Sequence, residues 1–202
     1  MRERPILFSG AMVRAILAGT KTQTRRVVKP MKDRDIGCML SPCELAGEIN
    51  QGKFRNSIHG EPGDHLWVRE SFSRLEAFDF FSPEVPDPVP EFWYWADGNP
   101  TWGDWTRPKP SIHMPRATCR IVLEITGVRV ERLQAISEAD AMAEGIELIN
   151  GRHTFNGGLH ESRTAQESFQ ALWTSTGGDW DSNPWVWVIE FRKIDAPGGS
   201  NV

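Results

Sequence analysis

Residues 119–133, Cys119-Arg120-Ile121-Val122-Leu123-Glu124-Ile125-Thr126-Gly127-Val128-Arg129-Val130-Glu131-Arg132-Leu133, carry the strongest strand pattern in the chain. Ile121, Leu123 and Ile125 alternate with Val122, Glu124 and Thr126, the two-residue period of a pleated strand. Gly127 interrupts that alternation and marks a bulge or bend. A second run, Trp185-Val186-Trp187-Val188-Ile189-Glu190-Phe191, reads as the closing strand. Further strands are expected at Ile6-Leu7-Phe8, at Lys21 to Val28 and at His65 to Glu70, the last opened by the Gly63-Asp64 turn signal.

Three helices punctuate these strands. Residues 11–18 are rich in helix formers and place Met12, Ile16 and Leu17 on one face, with Gly19 as the C-terminal cap. Ser137 offers an N-cap for a short helix through Ala143. Thr164 and Glu167 form a capping box for a helix over 164–173, whose Ala165, Phe169, Leu172 and Trp173 share a face. Strands outnumber helices and cluster rather than alternate with them. That order predicts an α+β fold, a small mixed barrel with helices at its edges, and argues against a doubly wound sheet.

Two segments fall outside this frame. Residues 30–62 lack clear periodicity and read as a long, partly ordered connection. The stretch from about 71 to 109 is dense in Pro, acids and aromatics, with Phe92-Trp93-Tyr94-Trp95 as its strand-like piece, and reads as a surface-packed insertion. The expected organisation is therefore one domain over 1–195 with these two insertions, followed by a loose tail over 196–202.

The chain has 202 residues, 39% of them hydrophobic and 25% charged, enough to bury a sizeable core without a metal or disulfide. Nine Trp and ten Phe exclude a wholly disordered chain. No apolar run approaches the ~20 residues of a membrane span, and Met1-Arg2-Glu3-Arg4-Pro5 opens no signal-peptide pattern. Cys38, Cys43 and Cys119 form an odd set without a CxxC pair, which points to a reducing, cytoplasmic setting. Cys38 and Cys43 would be half of a zinc site, but no second ligand pair follows at matching spacing, so no metal is expected. No nucleotide, zincin, hydrolase or calcium motif is present, and no cofactor is expected.

Charge is unevenly spread. Residues 1–34 hold nine bases against two acids, although the formal net charge of the chain is −4. From Glu76 to Asp104 there are seven acids and no base. A basic arm on an acidic body suits a phosphate backbone; it equally suits internal pairing with the acidic insert. Within the arm, Gly19-Thr20-Lys21-Thr22-Gln23-Thr24-Arg25-Arg26 gathers three cations and three hydroxyls beside a helix end, groups that serve a phosphate, a carbonyl or a base edge. An exposed strand with threonines for β propensity and arginines for solubility explains the same composition.

The pattern Gly19-x-Lys21-Thr22-x-Thr24-x-Arg26 after a short helix resembles the signature of the ASCH domain, a branch of the PUA-like superfamily. The resemblance continues through Gly63-Asp64-x-Leu66-Trp67-Val68-Arg69-Glu70, Pro110 to Arg116, Ser137 to Ile146 and Trp185 to Phe191. It is closest to the larger ASCH proteins of phages and prophages. It implies a PUA-like β-barrel with flanking helices and a cleft that binds RNA or a modified nucleoside. In one bacterial branch it implies an amidohydrolase that deacetylates N4-acetylcytidine with a Lys, a Thr three residues later and a distant Glu. Those positions match Lys21, Thr24 and Glu144 in this sequence. Other ASCH proteins are suggested to cleave single-stranded RNA.

The chemistry has its own demands. Amide hydrolysis needs a nucleophile, a proton acceptor and a group that stabilises the oxyanion. Lys21 would accept a proton only with its pKa lowered by burial or by Arg25 and Arg26, and Glu144 would push it the other way. On a regular strand Lys21 and Thr24 point to opposite faces, so they converge only if Lys21 lies in the turn or a bulge intervenes. Thr22, Arg25, Arg26, Glu70, Ser111, His113 and Arg116 are the candidate contacts to a nucleoside or nucleic acid. His113 and Glu70 have structural readings as well, a loop histidine beside Pro and a partner for a nearby base. Trp93, Tyr94 and Trp95 would either stack on bases or form the core of the insert. A third possibility is a non-enzymatic phage accessory protein that binds a host protein through the insert over 78–105.

Overall fold

The computed structural model describes residues 1–194; the expected tail over 196–202 lies outside the described residues. In chain order, strand β1 (Glu3–Leu7) leads to helix α1 (Gly10–Leu17) and strand β2 (Gln23–Val27). A short hairpin of β3 (Met31–Lys32) and β4 (Met39–Leu40) precedes helix α2 (Pro42–Asn50) and strand β5 (His65–Arg69). Strands β6 (Phe72–Ala77), β7 (Phe92–Tyr94) and β8 (Asp104–Trp105) follow, then the long strand β9 (Val122–Arg132). Helix α3 (Glu138–Ala143), strands β10 (Ile146–Ile149), β11 (Arg152–Phe155) and β12 (Leu159–Ser162), helix α4 (Ala165–Ser175) and strand β13 (Trp185–Ile194) complete the order. The fold is mixed α+β.

The main sheet has the order β1-β5-β9-β13-β2. Its β1–β5 pair is parallel and its other pairs are antiparallel. Gly127 does mark a bulge: Glu190 pairs with Gly127 but Phe191 with Ile125, so Thr126 is the extra residue. The consequence is a change of parity. Before the bulge Ile121, Leu123 and Ile125 enter one core; after it Val128 and Val130 enter the same core. Without the extra residue the second half of β9 would turn its valines to the other face.

β13 explains why its sequence is apolar at consecutive positions. Trp187, Ile189 and Phe191 join a core with β1, β5, α1 and α2. Val186 and Val188 join a second core with Leu133, α3, β10, β11 and α4. A strand covered on both faces loses the polar alternation of a half-buried one.

None of the sheets closes into a barrel among the described residues. The main sheet has two edges, β1 and β2, and they meet through a side chain instead of a backbone ladder: Arg26 Nη2 donates to Leu7 O at 2.6 Å. Its guanidinium sits 5.4 Å from the Phe8 ring centroid. Full closure needs backbone pairing between the end strands, and here the Arg26 side chain over the Phe8 ring stands in its place.

The 30–62 segment is more ordered than its lack of periodicity suggests. Ser41 caps α2 in a capping box with Glu44, and Pro42 opens the helix. The helix lies on β9, where the Asn50 side chain donates to Val130 O and accepts from Val130 N, both at 3.1 Å. It thereby pairs the stretch of β9 beyond the three residues that β5 reaches. The 71–109 insertion contains its own sheet, β7-β6-β8. Its aromatics pack on one another, Trp102 against Trp105 at 5.1 Å and Trp93 against Trp105 at 5.7 Å. The sheet β10-β11-β12 was not expected at all; Asn150-Gly151, at φ 51° and 74°, makes its first turn.

Candidate active site

Two helix ends build the site. α1 stops at Ala18, and Gly19 takes φ +77°. The chain then folds back so that Thr20 N and Lys21 N both donate to Ala15 O, at 2.9 and 3.1 Å. Lys21 therefore lies in the turn ahead of β2, where it makes an isolated antiparallel bridge with Glu144. On the other side Ser137 and Asp140 form a capping box that starts α3, and Glu144 is its C-cap. Gly145 follows at φ +98°; a Cβ there would meet Ala15 Cβ at 3.2 Å and Lys21 Cβ at 3.3 Å. Only glycine lets the two helix ends approach this closely.

Lys21 Nζ donates to both Glu144 Oε2 and Glu144 O at 2.8 Å. Arg25 Nη1 donates to Glu144 Oε1 at 3.1 Å, and Arg25 Nη2 to Glu131 Oε1 at 2.7 Å. Arg129 closes the network through Glu131 Oε2 at 2.9 Å, Asp140 Oδ1 at 2.8 Å and Glu190. The side chains of Lys21, Arg25 and Glu144 are 1%, 0% and 4% exposed. Charges this deep survive only when paired, and here every ion has a partner. Burial pushes the Lys21 amine below its ordinary pKa; the Glu144 carboxylate opposes that, and Arg26 and Arg25 add to it.

Thr24, Arg25, Arg26 and Glu144 line a cavity of about 70 Å³, walled by Met12 and by the α4 side chains Phe169, Leu172, Trp173 and Thr176. Burial places Thr24 among the buried polar residues. The space is well below the roughly 300 Å³ at which small-ligand pockets begin. It accepts an acyl-sized group, and a whole nucleoside enters only if the α4 wall moves outward.

The remaining candidates lie elsewhere. Thr22 turns its side chain to solvent and contributes its backbone, Thr22 N donating to Ala143 O at 2.8 Å. Glu70 is buried in a two-pronged pair with Arg120, at 2.9 and 3.0 Å. Arg120 also holds Asp97 and lies 4.0 Å from the Tyr94 ring, so Glu70 anchors the insertion and lines no part of the cavity. Ser111 and His113 form a single 3₁₀ turn, and His113 faces a separate hollow of about 600 Å³ beside Phe72 and Lys109. Arg116 pairs with Glu3 at 2.9 and 3.2 Å. Glu131, Asp140 and Arg129 were missed. The spacing of Arg129 and Glu131 on one strand face was the available signal, but their partners depend on the β9–β13–β2 register.

Cys38 and Cys43 are exposed free thiols. No helix among the described residues is long and apolar enough to cross a membrane. The chain matches no family model, no curated protein and no solved structure.

Proposed function

We propose that the protein recognises a modified pyrimidine nucleoside, free or within RNA, at the cavity beside Thr24 and Glu144, and hydrolyses an N4-acyl group from it. The observation that carries this reading is a buried Lys21 amine, its pKa lowered, in direct contact with the carboxylate of Glu144, a residue that lines the same cavity as Thr24. The ASCH resemblance supports it, and a PUA-like ancestry for the sheet belongs to the same reading. The two sheet edges tied by Arg26 and Leu7 suit a barrel relative whose seam has opened.

The chemistry runs in two steps. The Thr24 hydroxyl oxygen adds to the acyl carbon while its proton passes to the Lys21–Glu144 pair. Arg25 and Arg26 oppose the negative charge that develops on the carbonyl oxygen. The C–N4 bond breaks, N4 takes the proton and cytidine leaves; water then releases the acid from Thr24. A cytoplasmic setting with RNA as the source of substrate fits three unpaired cysteines and the basic arm.

Incubation with N4-acetylcytidine followed by chromatography tests the reading. Cytidine and acetate are expected from the native chain, with loss in both Lys21→Ala and Thr24→Ala. No turnover of the nucleoside or of acetylated RNA rejects the activity, and turnover that survives both substitutions rejects the roles. Labelled single-stranded RNA in the same assay reports the nuclease alternative.

A second reading draws on the insertion, where Phe80 and Phe81 are 77% and 90% exposed in an acidic segment. Such a surface fits a basic host protein. A pull-down that keeps its partner after deletion of 78–105 rejects it.

A further inference from the structure

Three bases of the N-terminal arm, Arg2, Arg4 and Arg34, gather at a hollow separate from the candidate active site. Arg2 and Arg4 precede and enter β1, two residues apart, and Arg34 and Arg55 come from the 30–62 segment. All four line one hollow of about 230 Å³, with Asp64 and Glu61 as its acids. None of these residues lines the cavity beside Thr24 and Glu144.

The hollow is held in shape before any ligand arrives. Asn56, 2% exposed, donates to Asp33 Oδ2 and Glu48 Oε2 at 2.9 and 2.8 Å and accepts from Arg34 N at 3.0 Å. Arg34 Nη1 donates to Arg55 O at 3.0 Å, which ties the two arms of the segment together. At the floor, Gly60 adopts φ +110°, and a Cβ there would stand 2.7 Å from Arg4 Nη1 and 2.9 Å from Asp64 Oδ2. A side chain at this position would displace the Arg4–Asp64 pair.

Charge balance is what the hollow lacks. Asp64 is spent on Arg4 Nη1 at 2.8 Å and on Arg2 N at 2.7 Å. Arg55 meets Asp35 at 2.9 Å on the exposed rim. Among the described residues the guanidiniums of Arg2 and Arg34 have no carboxylate within ion-pair distance. Burial first, then Arg26 and Arg4, hold the nearby His59 at a pKa of about 4.

We propose that Arg2, Arg4, Arg34 and Arg55 form a binding site for a compact, multiply charged phosphoryl group, a phosphate monoester or a pyrophosphate. Guanidinium forks match phosphate oxygens in pairs. A compact hollow with several forks favours a terminal dianion over a diester backbone, which offers one charge per phosphate and needs a groove to run through. A free nucleotide and the 5′-phosphate of a nucleic acid present the same chemistry. The proposal is independent of the deacylation reading, because N4-acetylcytidine carries no phosphate and each test can fail alone.

Isothermal titration of the full chain with pyrophosphate, against sodium chloride of equal ionic strength, is the test. Saturable binding to pyrophosphate is expected, weakened about tenfold or more in the exposed double variant Arg34→Gln/Arg55→Gln with its circular dichroism unchanged. Preference for a 5′-phosphorylated oligonucleotide over its 5′-hydroxyl counterpart supports the site with a strand end as ligand; displacement of pyrophosphate by ADP supports it with a nucleotide. Heats no larger than those of chloride overturn the proposal, as does binding that Arg34→Gln/Arg55→Gln leaves intact. Equal affinity for both oligonucleotides without pyrophosphate binding overturns it too.

Discussion

Lys21 Nζ donates twice to one residue, to the carboxylate and to the main-chain carbonyl of Glu144, both at 2.8 Å. The two carry almost no exposed side-chain surface, so the contact lies in a low-dielectric setting where losing one partner strands the other. Glu144→Ala strands the buried Lys21 ammonium, leaves Arg25 only its pairs with Glu131 and Asp140, and is expected to cost about 3–5 kcal/mol in urea unfolding. Lys21→Met removes the buried ammonium while Glu144 keeps Arg25, and is expected to cost less. Equal losses would contradict this division.

Stability should fall on acidification through His59. Its pKa is pushed from 6.5 down to about 4, by burial first and then by Arg26 and Arg4. The folded state therefore binds fewer protons than the unfolded state between pH 6.5 and 4, and stability drops as pH falls across that window. The full effect is about 3 kcal/mol. His59→Leu is expected to flatten the slope between pH 7 and 4.5 in urea titrations; an unchanged slope would refute the assignment.

Asn50 acts as a substitute strand for Val130. Asn50→Leu removes both bonds and is expected to cost about 2 kcal/mol, at roughly 1 kcal/mol per bond. Hydrogen exchange at the Val130 amide should accelerate with it, while exchange across the β13–β2 pair should change only by the global loss.

Gly145→Ala places a methyl against Ala15 and Lys21 at a backbone angle that alanine resists. A loss of about 1–3 kcal/mol is expected, and the proposed deacylase activity should fall by more than stability alone explains. Activity at the native level in a folded Gly145→Ala would show that the Lys21–Glu144 spacing does not matter to it.

Much of the fold was legible where periodicity and caps act locally. β9 with its Gly127 bulge, β13, and the starts of α3 and α4 stand where the residues place them. Even so, the Thr164 box is one-sided: Glu167 N donates to Thr164, while the Glu167 carboxylate accepts from Arg163 N. α2 was signalled by Ser41-Pro42-Cys43-Glu44 and the β10–β11 turn by Asn150-Gly151, short cues overshadowed by glycine-rich or polar surroundings. The expected barrel did not form because sheet closure depends on how far the ends curl, which no local pattern encodes. At the site, resemblance singled out Lys21 and Glu144; Glu131, Asp140 and Arg129 join them through register across three strands, which the residues do not spell out one segment at a time.

β13 follows every other described element along the chain, yet it sits between β9 and β2 and supplies side chains to both apolar layers. Neither layer can be completed until residues 185–194 have joined the sheet. Until this strand arrives, the apolar faces prepared for it on either side stay uncovered, an aggregation-prone interval in folding.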